Sequence, residues 1–561
     1  MRIALAIVLV MAAVQILSIR QECQTWDEGF EIASGYGYLR TGEYRISPEQ
    51  PPLARVLAAL PLLALNPLPP DIPRDWENHD REIGIAFLYR NRVPADSIVF
   101  AARLPTILTT CALGLLMFWW TRRAFGPLAA VLALLLFALD PNVIANGRYV
   151  KNDMLLTLLS FSTVIAWGAF LRTGRMRAAC GAGLLLGAAL ATKFAAAFLL
   201  PVMALLWVRE RLRGGLRAAV LVITGAVLVP LIVYAPDIPK LRIATRGYRA
   251  NHPNVLRIGN ALSVQTRAST AVLHAATSIG IQDHALLVGL LRFLDHSSGG
   301  HEAYLLGQHS TTGWWYYFPV AFLVKTPITT LLAIALALSV AGGRAYSRGL
   351  PRLRHIRSEW WLCALPPPIF LIASIVNKVN TAERHLLPIY PFLFILTAAL
   401  LAPSVNLRLR GFSLRLCENR ALVLALLLAL ESFSVYPHYL AFFNFAAGGP
   451  ASGPRYLVDA NIDWGQDLLK LRTWWINHGR PPLCLMYFGT APPEYYGITY
   501  GRVARSWETQ ERRDMDCFAA VSVTSLQDVY IQPGSMVWLR ERQPVERVGY
   551  SIYIYDLRRR Q

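Results

Sequence analysis

About eleven times the chain runs apolar for roughly 17 to 25 residues, the length a helix needs to cross about 30 Å of hydrocarbon. These runs lie at 3–19, 100–120, 127–145, 154–171, 178–191, 194–208, 218–235, 318–340, 360–375, 386–401 and 421–435. A chain of 561 residues that is 54% hydrophobic and only 16% charged is too apolar for a soluble body of that size. The expected fold class is therefore an α-helical polytopic membrane protein. The first run resembles an export signal, but no small-residue cleavage site follows it, and it reads as a retained helix.

Arginine sets the orientation, because cytoplasmic loops retain positive charge during insertion. Alternate loops carry Arg122 and Arg123, then Arg172, Arg175 and Arg177, then Arg209, Arg211, Arg213 and Arg217, then the arginines of 344–357 and of 408–420. Every second loop is basic, which places the amino terminus inside. Outer loops at about 20–98 and 237–313, and all residues after about 436, then lie outside. The net charge of +20 reads as topology signal and attraction to anionic headgroups. Nucleic-acid binding is excluded, since the arginines are scattered over separate short loops instead of forming one stripe.

After residue 436 the long apolar runs stop. Residues 1–436 read as the membrane domain and 437–561 as a C-terminal α/β extracytoplasmic domain, with strands expected at 483–488, 518–524, 536–539 and 548–555 and a helix around 467–475. Seven cysteines show no metal-like spacing. Cys484 and Cys517 both fall outside, and a disulfide or two unpaired thiols are equally compatible with the sequence.

Charged residues collect at the outer ends of the spans. Asp27 and Glu28 follow the first, Lys151 and Asp153 open the fourth, Lys193 separates the fifth and sixth, Lys325 lies inside the eighth, and Arg384 with His385 opens the tenth. Charges beside spans are costly and tend to pair or to line a functional cavity. Snorkelling explains a single lysine such as Lys193 or Lys325, and the helix dipole explains Asp153. Convergence of both signs on one face favours a shared pocket. Such a pocket suits group transfer from a lipid-linked phosphate, a carboxylate taking a proton from the acceptor hydroxyl while cations stabilise the departing phosphate. A flippase or transporter of a lipid-linked sugar is the alternative, as is a non-catalytic binding member; a transporter would place charge nearer the midplane.

Several segments carry a family resemblance. Thr25-Trp26-Asp27-Glu28 with Gln50-Pro51-Pro52-Leu53, and 146–153 ending in Lys151-Asn152-Asp153, look like the first two outer loops of the dolichyl-phosphate-mannose protein mannosyltransferases, glycosyltransferase family 39. Segments 313–327, 384–392, 448–450 and 456–468 look like a bacterial subgroup of that family, which is similar to the enzymes that add aminoarabinose to lipid A. The resemblance implies a GT-C membrane fold in a bacterial inner membrane, a polyprenyl-phosphate sugar as donor, and an inverting single displacement on the outer face onto a glycan, lipid or protein. It implies Asp27 as catalytic base, Glu28 as its neighbour orienting substrate or holding a divalent metal, and Asp153 as a second acidic site residue. By their chemistry, Lys193, Lys325, Arg384 and His385 are assigned to the donor phosphate, and His301 with Glu302 to the acceptor. Two features depart from the family pattern: Glu383 stands directly before Arg384, partly neutralising it, and the tail has no β-trefoil pattern. Asp459, Asp463 and Asp467 would share one face of a helix and suggest a cation site, although Gly465 favours a loop with capping carboxylates.

Overall fold

A computed structural model describes residues 1–42, 44, 46–73, 79–237, 289–290, 292–293, 299–348, 356–405, 415–505, 508, 511 and 515–559. The expected outer loop 237–313 and the basic loops 344–357 and 408–420 therefore lie partly outside the described residues.

The chain is a polytopic helical membrane protein. Among the described residues, seven helices are long and apolar enough to cross a membrane: Arg2–Ile19, Ala95–Phe125, Asp153–Thr173, Gly215–Tyr234, Ile328–Ser347, Ser358–Val376 and Glu383–Ala402. Shorter apolar helices, Pro127–Ala138, Met176–Leu190, Phe194–Arg209 and Leu422–Phe433, occupy four further apolar runs. Proline and its neighbours account for the main differences from the sequence reading. The run 127–145 stops at Ala138 and restarts as Pro141–Asn146, where Asp140 accepts from the backbone N–H of Asn142 at 2.8 Å and of Val143 at 3.1 Å. Likewise 318–340 divides at Thr326 and Pro327 into Tyr317–Lys325 and Ile328–Arg348, because proline cannot continue the hydrogen-bond ladder.

Helices Met176–Leu190 and Gly215–Tyr234 pack through glycine. A Cβ on Gly225 would come within 2.5 Å of the Gly183 carbonyl carbon, and one on Gly187 within 2.3 Å of the Gly225 oxygen. Small residues four apart let two backbones touch, which is the main source of helix association where solvent is as apolar as the helices.

Among the described residues there are seven short strands, five of them in the tail. β1 (Ala303–Leu305) and β2 (Gln308–Ser310) form a hairpin in the segment before helix Tyr317–Lys325. Strands β3 (Leu483–Met486), β4 (Gly501–Arg502), β5 (Phe518–Ser522), β6 (Glu546–Val548) and β7 (Ile552–Asp556) form one mixed sheet in the order β4-β3-β5-β7-β6. Helix Leu468–Asn477 covers it through Leu468, Leu471, Trp474 and Trp475. The expected strand at 536–539 is instead a turn of helix, Val537–Arg540. The expected strand at 548–555 is a hairpin: Gly549 and Tyr550 at φ of 63° and 65° turn the chain between β6 and β7, a bend that an unbroken apolar pattern conceals. Cys484 and Cys517 are joined in a disulfide, which settles the two readings left open above.

Gly225→Val should force the two helices apart and cost about 1–3 kcal/mol by overpacking. A thermal melt followed by size exclusion in detergent should show a lowered midpoint; an unchanged midpoint would remove the glycine contact as a stabilising feature.

Candidate active site

Helix Glu28–Thr41 begins a short loop after helix Arg2–Ile19, and Glu28 is fully buried there. Its carboxylate receives a two-pronged bond from Arg103, Nε to Oε1 at 2.8 Å and Nη2 to Oε2 at 2.6 Å. Backbone N–H groups of Thr25 and Val150 add bonds at 2.8 and 3.0 Å. Burial pushes the Glu28 carboxyl up, but the Arg103 guanidinium outweighs it and the group lies below the usual carboxylate range. Both oxygens are committed, and Glu28 is not among the residues that line the cavity beside it.

That cavity, of about 1290 Å³, is lined by Asp27, Lys151, Asp153, Lys193, Arg384 and His385, which brings together six residues singled out in the sequence. Its charges alternate. Lys151 bridges Asp27 at 2.8 Å and Glu31 at 2.7 Å, and Glu31 is in turn paired with the buried Arg55. Burial disfavours the Lys151 ammonium, yet Asp27 and Glu31 hold its pKa above the ordinary lysine value. In the same cavity, Asp153 Oδ1 accepts from Lys193 at 2.6 Å, and its Oδ2 lies 3.4 Å from Arg384 Nε. Arg384 stacks over Trp464, with Cζ 4.1 Å from the ring centroid. Among the described residues, Arg384 Nε and Nη1 and Asp153 Oδ2 are buried without a hydrogen-bond partner. Unsatisfied buried donors on a guanidinium are costly and mark a place for an anion.

Part of the lining is apolar, formed by Ile369, Phe370, Ile372 and Val376 from helix Pro366–Val376, with Phe198 edge-on to Phe370 at 6.3 Å. Another part comes from the tail. The backbone N–H of Trp26 donates to Trp464 O at 2.8 Å and that of Cys23 to Gln466 O at 3.1 Å, so the loop after helix Arg2–Ile19 and the tail are bonded directly. Asn461 accepts from the Glu383 backbone N–H at 2.9 Å and donates to the Tyr317 hydroxyl at 3.0 Å, holding the segment that carries Arg384. Glu383 turns to the Tyr390 hydroxyl, away from the ion pair of Arg384 with Asp153, so the expected neutralisation of Arg384 by its neighbour gives way to separate partners.

Lys325 lies elsewhere. It is buried outside the cavity lining and donates to the carbonyls of Leu440 at 2.8 Å and Asn461 at 2.6 Å, a tether between helix and tail. His301 reaches the cavity wall, whereas Glu302 stands near His309 at 3.9 Å. Asp459, Asp463 and Asp467 do not share a helical face: a single 3-10 turn, Asp459–Asn461, gives way to Gly465 at φ of 80°, and each acid has its own donors. No group of three metal-ligating side chains is placed together among the described residues. The sequence reading passed over Glu31, which lies one helical turn after Asp27, and Arg103, an arginine inside an apolar run; both spacings were legible. It had no signal for Phe488 and Tyr530.

Residues 95–238 match the sequence model described as dolichyl-phosphate-mannose-protein mannosyltransferase. The family read from the motifs is the one this match returns. Among curated proteins no sequence match was found. Among solved structures, the chain is similar to ArnT from Cupriavidus metallidurans bound to undecaprenyl phosphate, with 13% identity, a TM-score of 0.48 and 99% of each chain covered. It is also similar to the Archaeoglobus fulgidus oligosaccharyltransferase in its apo form, with 14% identity, a TM-score of 0.45, and 77% of this chain and 55% of that one covered. Likeness at that level leaves the cavity to be interpreted from its own residues.

Asp463 offers a pH test of how the tail is held. Burial pushes its carboxyl up to about 8, against the backbone N–H groups of Thr524 and Gly465 that favour the charged form. A carboxyl raised on folding stabilises fully below its unfolded value of about 4 and loses that contribution as pH climbs to about 8. The thermal midpoint should therefore fall across that window more steeply for the unaltered protein than for Asp463→Asn; parallel profiles would contradict the assignment.

Proposed function

We propose that this chain is a membrane glycosyltransferase of the GT-C type that moves a hexose, mannose-like, from a polyprenyl-phosphate donor to an extracytoplasmic acceptor. The observation that carries this reading is Arg384, whose buried Nη1 has no hydrogen-bond partner among the described residues and whose Nε has only the ion pair with Asp153, on a cavity also lined by Lys193 and the carboxylate of Asp27. A phosphate diester of a lipid and a sugar fits both ends: its oxygens meet Arg384 and Lys193, and its isoprenoid chain lies along Ile369, Phe370, Ile372 and Val376. The family description supports the same donor class, as do the undecaprenyl phosphate in the ArnT structure and the dolichol phosphate in that of the archaeal oligosaccharyltransferase AglB.

In the proposed step Asp27 takes the proton of the acceptor hydroxyl as its oxygen bonds to the sugar anomeric carbon. The bond from that carbon to the phosphate oxygen breaks on the opposite face, inverting the centre. Polyprenyl phosphate departs as an anion stabilised by Arg384 and Lys193 and needs no general acid. Asp153 orients both cations. His385 lines the same cavity beside Phe318 and serves the donor phosphate. Glu28 acts as a positioning residue. Its oxygens are already held by Arg103, Thr25 and Val150, which does not fit a metal ligand. We place the cavity on the outer face of a bacterial inner membrane, with 437–561 as an outer domain. The Cys484–Cys517 disulfide supports that side, since disulfides persist in oxidising compartments.

Purified protein in liposomes, given radiolabelled polyprenyl-phosphate sugars and total envelope material, tests the class. Asp27→Asn should lower turnover by about 100-fold or more, the usual share of a general base, with folding retained. Full turnover in that variant would overturn Asp27 as the base, and no transfer from any donor by the folded protein would overturn the transferase reading. Lys193→Ala should raise the donor KM by about tenfold, a loss of about 1.4 kcal/mol. An unchanged donor KM would remove Lys193 from the phosphate site.

A further inference from the structure

The tail side of the cavity carries a polar cluster that the transfer step above does not use. Asp459 Oδ2 accepts from the Tyr530 hydroxyl at 2.6 Å, and that hydroxyl stands 3.3 Å from His301 Nδ1. All three residues line the cavity, and they come from three chain segments, Tyr530 lying 71 positions from Asp459 and 229 from His301. Asp459 and Tyr530 both hold left-handed backbone, at φ of 57° and 62°. An aspartate tolerates that region, but a tyrosine rarely enters it, and such outliers gather where a ligand is gripped.

What fixes Tyr530 is a pile of rings. Trp26 stacks on Phe488 at 4.8 Å between centroids, and Phe488 on Tyr530 at 5.6 Å, with interplanar angles of 16° and 12°. Trp26 directly precedes Asp27, so the pile sets the tail cluster in a fixed relation to the residue assigned as base. His301 completes it edge-on to Tyr530 at 5.5 Å.

We propose that Asp459, Tyr530 and His301 form a subsite for the hydroxyl groups of a saccharide acceptor. This rests on the transferase reading above and names its acceptor class. A carboxylate offers about four lone-pair sites, of which the Ala460 N–H and the Tyr530 hydroxyl take one on each oxygen. Lone pairs remain for hydroxyls that donate: on the carboxylate, on the phenol, whose own proton goes to Asp459, and on Nε2 of a neutral His301, whose Nδ1 faces the Glu302 carbonyl at 2.9 Å. The same carboxylate repels a phosphate, so the acceptor group meeting this wall is a neutral hydroxyl.

The full chain in detergent is titrated with fluorescently tagged neutral oligosaccharides, with their phosphate monoesters, and with serine- and threonine-bearing peptides. Neutral oligosaccharides should bind, and both Asp459→Asn and Tyr530→Phe should weaken binding by about tenfold or more. Tyr530→Phe keeps the ring pile, so its loss reads the hydroxyl and not the fold. Equal affinity in all three proteins, no saccharide bound, or preference for phosphorylated sugars or peptides would each overturn the proposal. Labelled donor added to the same samples separates the two readings. Saccharide binding that needs Asp459 but yields no transfer supports the subsite and sinks the transferase; transfer to a saccharide that neither substitution weakens sinks the subsite alone.

Discussion

Everything around the cavity depends on the buried pairing of Glu28 with Arg103. Two charges without solvent are tolerated only when each is hydrogen-bonded on all sides, and here the guanidinium fork and two backbone N–H groups meet that condition. Arg103 also donates to the Cys23 carbonyl at 2.8 Å. Three separate segments are thereby locked at one point: the loop after helix Arg2–Ile19, helix Ala95–Phe125 and the turn before Asp153. Asp27 is the residue before Glu28 and Lys151 the residue after Val150, so the pair delivers the first charged cluster of the cavity by sequence adjacency alone. Losing one member of such a pair leaves an uncompensated buried charge and typically costs about 3–5 kcal/mol.

Around that anchor the cavity is built from charge alternation. Asp27 and Glu31 share Lys151, while Asp153 sits between Lys193 and Arg384. These three acids each have a cation, and Arg384 keeps one buried nitrogen, Nη1, with neither a hydrogen bond nor an ion pair among the described residues. Stacking on Trp464 holds the guanidinium plane without consuming its donors, because the ring offers a face and no acceptor atom. Arg384 is thus fixed in place with Nη1 still unbonded among the described residues.

Much of this was legible in the chain itself. Apolar runs of bilayer length gave the helices, and the charges at their outer ends gave Asp27, Lys151, Asp153, Lys193, Arg384 and His385, because residues that a bilayer rejects stand out against apolar neighbours. Glu31 and Arg103 obeyed the same rule and could have been read. Lys325 shows its limit: a lysine inside a span signals a polar partner, but the sequence does not say whether that partner is a ligand or the carbonyls of Leu440 and Asn461. Breaks at Asp140 and Thr326 were hidden inside apolar runs, and the turn at Gly549 and Tyr550 inside an alternating one. Phe488 and Tyr530 could not be foreseen, since their place in the cavity depends on how the tail folds back over the first loop.

The order of strands in the tail sheet bears on how such a molecule is made. β7 follows the other strands in the chain yet lies inside the sheet, antiparallel to β5 on one side and β6 on the other. Membrane helices can be inserted one after another as they are synthesised, each complete in its own hydrogen bonds. The sheet has no such freedom, and until β7 arrives β5 lacks one neighbour and β6 has none. Phe488 and Tyr530 flank that sheet, so the cavity wall they supply is among the last parts to form. A ribosome-bound chain with every helix in place would hold its charges beside an open trough, and the finished enclosure would be gained at once, when the final strand closes.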